Sequence, residues 1–213
     1  MDSVSGVGVI DKGVAILDAL ADGPLDLIGL QAATGLPRAT AHRLVVALET
    51  HHLVRRDPAG RFCLGFELIR LGRAAADEFP LAELATPALV SLRDLTGESV
   101  QLFVRDGSGR RCVASLQSPH ALQWIVPVGA LLPLELGSAG RVLTGAHLAE
   151  SVEERERGVA SVSAAVVDAS GATVAALSIS GPVERMTRAP RRRFGRPVSD
   201  AAERLSALVA GRG

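Results

Sequence analysis

Gly35-Leu36-Pro37 separates two short amphipathic stretches and leaves the backbone few ways through. Glycine takes the left-handed conformation that ends a helix. Proline suits a first helical turn, where its missing N–H would have no intrahelical partner. The triplet reads as the stop of one helix and the start of the next, with Leu36 packed inward between them. Upstream, Asp26 to Thr34 forms a short amphipathic helix. Downstream, a third helix is expected from about Arg38 to His51, with Ala41, Leu44, Val45 and Leu48 on one side and Arg38, Ala39, His42, Arg43 and Ala47 elsewhere. One stripe faces a core and the other is free to touch a partner. A first helix precedes both, with Ile10, Val14, Leu17 and Leu20 at helical spacing and Gly23-Pro24 as its end.

After the third helix, Leu53 to Arg56 and Arg61 to Leu64 are strand-like runs around the turn Asp57-Pro58-Ala59-Gly60, which predicts a β-hairpin. Helix, helix, sharp turn, helix, hairpin within the first 65 residues is the order of a winged helix-turn-helix. A further helix, Phe66 to Asp77, ends near Phe79-Pro80 and reads as a linker. The domains are therefore expected at 1–65, 66–79 and 80–213.

From Leu81 onward the pattern changes. Leu84, Leu89, Leu92 and Leu95 mark a helix ending at Thr96-Gly97. Strands are then expected at Ser99 to Arg105, Arg111 to Leu116, Gln123 to Val128, Ser161 to Val167 and Thr173 to Ser180. A short helix should follow Gly137-Ser138-Ala139-Gly140, and Asp200 to Val209 should close the chain as a helix. Hairpin strands flanked by helices indicate an α+β sensor-type domain, not a doubly wound parallel sheet.

Composition narrows the function. No apolar run approaches the ~20 residues of a membrane helix and no signal-peptide pattern opens the chain, so a cytoplasmic protein is expected. Cys63 and Cys112 form no CxxC or Cys/His cluster, so both read as buried small residues, with no metal site and no cofactor expected. Aromatic residues are 3% and tyrosine is absent, which disfavours base-stacking RNA or single-strand modules and makes duplex DNA the better nucleic-acid partner. The formal net charge is zero, but residues 36–61 hold Arg38, Arg43, Arg55, Arg56 and Arg61 against Glu49 and Asp57. A local basic face matters more to DNA than the whole-chain sum.

In a helix-turn-helix the N-terminal residues of the recognition helix meet base edges. Here those are Arg38, Ala39, Thr40, His42 and Arg43. Arginine pairs with guanine O6 and N7, Thr40 and His42 can donate to phosphate or base, and Ala39 can meet a thymine methyl. Arg55, Arg56 and Arg61 of the wing can follow the adjacent backbone or minor groove. The plainer alternative is a small α+β subdomain with solvated arginines.

The stretches GVIDKGVAILDAL and LIGLQAATGLPRATAHRLVVALETHHLVRRDPAGRFCLG resemble the DNA-binding domain of IclR-family bacterial regulators, and AALSISGP resembles the end of that family's effector domain. VIDKG, GLPRATAHRLVVALE, VPVGALLPLELGSAG, SVEERERGVASVSA and SISGPVERMTR are most similar to the branch tied to amino-acid and leucine biosynthesis. The resemblance implies a winged-helix domain, a linker helix, a GAF-like effector-binding domain, and a homodimer or dimer of dimers on a double-stranded operator. It also implies a small-molecule effector, a carboxylate or amino-acid-like metabolite, at Ser138, Ala139, Ser161, Ser178 and Ser180, with Trp124 able to roof the site.

One departure stands out. The family pattern leads to a further helix and connecting segment between Glu150 and Ser151, where HLAE here runs straight into SVEERERG. Either part of the pocket wall is deleted or residues are missing from the sequence as written. The second is preferred, because a true deletion would leave the sheet with a difficult connection.

Competing readings are weaker. Gly6-Val7-Gly8 through Gly13 lacks both the preceding strand and the GK[ST] ending of a phosphate loop, and Gly137-Ser138-Ala139-Gly140 is not GxSxG. A GAF-type cysteine enzyme would need a partner thiol near Cys112, and the other cysteine sits in the wing. A GAF-like sensor or assembly module that no longer binds DNA is the remaining alternative. The basic run Arg188 to Arg193 reads as a solvated loop before the last helix.

Overall fold

The structure, a computed structural model, describes residues 5–77 and 80–211. It divides into two compact units, residues 1–79 and 80–213. Phe79, the expected end of the linker helix, lies outside the described residues.

The first unit runs α1 (Gly8–Ala21), α2 (Leu27–Thr34), α3 (Arg38–Thr50), β1 (Val54–Arg56), β2 (Phe62–Leu64) and α4 (Glu67–Asp77). Its core is Ile16, Leu20, Leu30, Leu36, Ala41, Val45, Val54 and Phe62. Only the second half of α1 reaches that core. Ile16 and Leu20 are buried while Ile10 and Val14, expected on the same inward stripe, are 58% and 49% exposed. The helix begins before the core does.

The turn between α2 and α3 follows from its residues. The Asp26 carboxylate accepts the Gly29 N–H at 2.7 Å and caps α2. Gly35 closes α2 in the left-handed region at φ 68°, its N–H bonded to the Gln31 carbonyl. Pro37 stands one position earlier than expected, as the extended N-cap of α3 at φ −57° and ψ 143°, and Leu36 is buried between the helices. In the hairpin Val54 pairs with Leu64 and Arg56 with Phe62. Backbone bonds between Leu25 and Phe62, at 2.8 and 2.9 Å, tie the hairpin to the segment before α2. No residue of α4 is buried, and Ile69 and Leu71 face outward.

The second unit contains α5 (Leu81–Thr96), β3 (Ser99–Asp106), β4 (Gly109–Leu116), β5 (Leu131–Pro133), α6 (Ser138–Leu143), β6 (Leu148–Val152), β7 (Val159–Val167), β8 (Thr173–Pro182), α7 (Val183–Met186) and α8 (Pro190–Ala210). The strands form one antiparallel sheet ordered β5-β4-β3-β8-β7-β6. Side chains alternate between its faces. Val100, Leu102, Val162, Ala164, Leu177 and Ile179 pack on one face with α5 and α8, through Leu89, Leu92, Phe194, Val198 and Leu205. Phe103, Cys112 and Ala176 lie on the other, with Ala139 and Val142 of α6. The architecture is α+β, as the strand pattern indicates.

Further details differ from the sequence reading. Gln123 to Val128 is not a strand. Pro127 has no N–H to give a ladder and starts a turn in which Ala130 bonds back to it. Pairing with β4 resumes only through Gly129, Ala130 and β5. The last helix starts at Pro190 rather than Asp200, with proline at its first position, so Arg191 to Arg193 form its first turn instead of a loop. Finally, Glu150 and Ser151 are consecutive residues of β6, paired with Val162 and Ser161 in an unbroken register. The Glu150 carboxylate also accepts the Arg191 N–H at 2.8 Å, at the start of α8. The premise that a direct join would strain the sheet therefore does not hold.

Two glycines test this packing with opposite signs. A Cβ on Gly140 would stand 1.9 Å from the Leu134 carbonyl oxygen, whereas one on Gly72, inside exposed α4, would meet nothing within 4 Å. Gly140→Ala should destabilise its unit by about 2–3 kcal/mol through overpacking against backbone. Gly72→Ala should stabilise α4 by about 0.4–1 kcal/mol through reduced unfolded-chain entropy. Denaturant unfolding monitored by circular dichroism reads both.

Candidate functional sites

The N-terminal half of α3 presents one buried and one open side. Ala41 and Val45 are fully buried, while Arg38, Ala39, His42 and Arg43 are exposed and Thr40 is half-buried. Among the described residues neither Arg38 nor Arg43 enters an ion pair. Both guanidinium groups are therefore available to an external anion.

The wing arginines differ from one another. Arg55 lies over the Phe66 ring at 4.8 Å and has no carboxylate partner among the described residues. Arg56 pairs with Glu49 at 3.1 Å and stacks on Phe62 at 4.2 Å. Arg61 pairs with Asp57 at 2.7 Å. Desolvation opposes the ionised form of Asp57, but the Arg61 N–H and guanidinium and the Ala59 N–H outweigh it and hold its carboxyl below the ordinary value. Arg56 and Arg61 are thus engaged in shaping the turn.

In the second unit a polar cleft opens on the α6 face of the sheet. Strand register builds it. Ser161 stands opposite Ser180 and Ser163 opposite Ser178, while Gln101 of β3 pairs with Ser178 and Ser151 of β6 with Ser161. Residues directly opposite in an antiparallel ladder share a face. The hydroxyls bond to one another: Ser138 lies 2.7 Å from both Ser161 and Ser163, and Ser163 donates to Ser178 at 2.8 Å. Ser180 donates to the Gln101 side-chain oxygen at 2.9 Å. Ser138 and Ala139 open α6, which starts inside the Gly137 to Gly140 segment that it was expected to follow, and the Gly137 N–H beside them is already taken by Glu154 at 3.3 Å.

The cleft brings together Trp124, Ser138, Ala139, Ser161, Ser178 and Ser180, the six residues expected from the sequence. It adds Gln101, Arg110, Ser151, Arg155 and Glu156 to its wall, and Ser163 beneath it, none of them foreseen. The two-residue spacing from Ser161 was the available signal for Ser163. Arg110 carried none, since charge at a strand position usually means solvent.

Arg110 is 3% exposed. Its guanidinium donates to the Pro133 and Leu136 carbonyls and lies 5.5 Å from the Phe103 ring centroid. Burial, then repulsion from Arg155, pulls it down to about 10, with Glu135 opposing. Arg155 stacks over Trp124 at 5.0 Å and is lowered chiefly by its own burial. These side chains leave a cavity of about 40 Å³, so a metabolite larger than a few atoms must displace them.

Cys112 is buried and its thiol is pushed up to about 12, chiefly by burial, so at neutral pH it is protonated and a poor nucleophile. No group of metal-ligating side chains occurs among the described residues. No described helix is long and apolar enough to cross a membrane. Both cysteines are buried, so the native protein should react with a thiol reagent at pH 8 far more slowly than the denatured chain, which should titrate both. Rapid native labelling at Cys112 would contradict its protonated, enclosed state.

Residues 9–58 match the family model of the IclR helix-turn-helix domain. The model of the bacterial transcriptional regulator IclR C-terminal matches in two pieces, 73–152 and 145–207, which overlap at β6. The chain is 31% identical to the glycerol operon regulatory protein of Streptomyces coelicolor, covering 84% of this chain and 86% of that one. That alignment runs over 222 positions, more than the 213 residues of this chain, so the relative carries residues absent here. The HTH-type transcriptional regulator KipR of Bacillus subtilis is 29% identical over 67% of this chain, which spans only 57% of that relative. An IclR homolog from Microbacterium hydrocarbonoxydans, solved in complex with 4-hydroxybenzoate, has the same fold, with TM-score 0.78 and 17% identity over 94% of this chain and 98% of that one.

Proposed function

From the premise that the chain belongs to the IclR family of bacterial transcriptional regulators, we propose that it binds a specific operator through α3 and the wing, under the control of a small metabolite held in the serine-lined cleft. The observation that carries this reading is the division of α3, with Ala41 and Val45 sealed in the core while Arg43 on the opposite side and Arg38 at the helix start are exposed and enter no ion pair among the described residues. Two cations without carboxylate partners among the described residues, at the start of a helix after a sharp turn, suit phosphate contact and guanine readout. Arg38, Ala39, Thr40, His42 and Arg43 are assigned to the groove and Arg55, Arg56 and Arg61 to the flanking backbone. Arg55 contributes most among the wing residues, because Arg56 and Arg61 already satisfy Glu49 and Asp57.

The cleft takes a carboxylate or amino-acid-like metabolite through Trp124, Ser138, Ala139, Ser161, Ser178 and Ser180. The convergence of these residues and the 4-hydroxybenzoate complex of the structural neighbour support this assignment. We assign self-association, as a dimer or dimer of dimers, to surfaces that include the exposed apolar residues of α4, Ile69 and Leu71. The controlled genes are those of amino-acid metabolism of the leucine type, a reading supported by the phrases VPVGALLPLELGSAG and SVEERERGVASVSA.

Gel shift against an operator selected from random duplex by the purified protein tests the DNA site. Arg38→Ala, Arg43→Ala and Arg55→Ala should each lower affinity and reduce the log–log salt slope by about one, with light scattering showing an unchanged oligomer. Arg56→Ala and Arg61→Ala should have smaller effects. Selection that recovers no preferred sequence, with all variants binding random duplex as the wild type does, would favour a sensor module that has lost DNA binding.

A further inference from the structure

We propose that Arg110, with Arg155 beside it, anchors an oxyanion, and that the ligand of the cleft is therefore a carboxylate- or phosphate-bearing metabolite gripped by guanidinium groups and not by serines alone. The inference rests on the cleft being the effector site and adds the residues that choose the ligand's charge.

Three observations carry it. First, Arg110 is 3% exposed yet pairs with no carboxylate among the described residues; its partners are the neutral carbonyls of Pro133 and Leu136. A buried cation is retained at a cost unless a counter-charge arrives. Second, four buried side-chain polar atoms lack a hydrogen-bond partner among the described residues: Arg110 Nε, Gln101 Nε2, Trp124 Nε1 and Gln123 Oε1. The three donors all belong to residues lining this cleft, and the one acceptor belongs to a residue that does not. A wall with surplus donors fits a group that only accepts, such as an ionised carboxylate or a phosphoryl group. Third, the guanidinium is held in place: a Cβ on Gly137 would lie 3.2 Å from Arg110 Nη2, and one on Gly140 2.9 Å from Nη1. The start of α6 is bare of side chains where Arg110 packs, so the cation is positioned before any ligand binds.

Charge on the wall agrees. Arg110 and Arg155 face the cleft against the single carboxylate of Glu156, and the cost of keeping these two cations buried is offset by the counter-charge of an entering anion. Arg155 is half-buried and stacked on Trp124, so it can swing to admit a ligand while Arg110 stays fixed.

Trp124 is the only tryptophan in the chain, which makes its fluorescence a direct reporter of the cleft. The full-length protein is titrated with succinate, inorganic phosphate and neutral succinamide. A saturable change is expected with at least one of the two oxyanions and not with succinamide; succinate against phosphate tells carboxylate from phosphoryl. Arg110→Gln, which keeps an N–H donor and removes the charge, should weaken the productive oxyanion roughly 10- to 100-fold, and Arg155→Gln should weaken it several-fold. If Arg110→Gln does not fold by circular dichroism, Arg155→Gln decides. Succinamide binding as tightly as succinate, no saturable response to either oxyanion, or unchanged oxyanion affinity in the folded variants overturns the proposal. The same probes in the gel shift separate the two readings. A neutral compound that occupies the cleft and shifts operator affinity keeps the effector role and discards the Arg110 anchor. An oxyanion that binds through Arg110 yet leaves operator affinity unchanged does the reverse.

Discussion

The two-residue alternation of an antiparallel sheet that is covered on both faces governs the second unit. Along β7 and β8 every even position of one and odd position of the other turns Val162, Ala164, Leu177 and Ile179 toward α5 and α8. The intervening positions must turn the other way, and there the sequence places Ser161, Ser163, Ser178 and Ser180. A slip of one residue would exchange the two sets and bury hydroxyls in an aliphatic core. Polar groups enclosed on the α6 side have to find partners, and the serines do so mostly in one another. What they leave unanswered is the charge of Arg110.

A related economy shapes the first unit. Its core is small, and α3 meets it with Ala41 and Val45, residues short enough to bring the helix close. The capped turn from Asp26 through Pro37 fixes where α3 begins, so Arg43 falls on the side away from Ala41 and Val45 by helical geometry, while Arg38, in their row, is exposed because it is the first residue of the helix. In the wing the same residue type serves two purposes. Arg56 and Arg61 stabilise the turn through Glu49 and Asp57, while Arg55 has no carboxylate partner among the described residues. The zero formal charge of the chain hides this local sorting.

Much of this was legible from local rules. Gly35, Pro37 and the Asp57 to Gly60 turn announce their conformations, because glycine and proline constrain the backbone whatever surrounds them. The strand alternation from Ser161 to Ser180 was equally plain. What failed were features set by distant partners. Ile10 and Val14 share the helical period of Leu17 but extend past the core, a fact that depends on how far α2 and α3 reach. The stretch Gln123 to Val128 has strand composition but is overruled by Pro127. Pro190 looked like a loop residue until its place at the first position of α8 was fixed by Glu150, some forty positions earlier in the chain. β6 went unseen because its sequence departs from the family pattern where the strand forms. Arg110, adjacent to Arg111 in sequence, is distinguished from it only by the face on which it emerges.

The central claim is that cleft and operator site belong to one regulatory device. Thermodynamic linkage tests it most directly: ligand affinity, from Trp124 fluorescence, is measured with and without saturating operator duplex, and operator affinity with and without saturating ligand. The account predicts that both change by the same factor, roughly 5-fold or more in either direction. A ligand that fills the cleft while each affinity stays indifferent to the other occupant would contradict it.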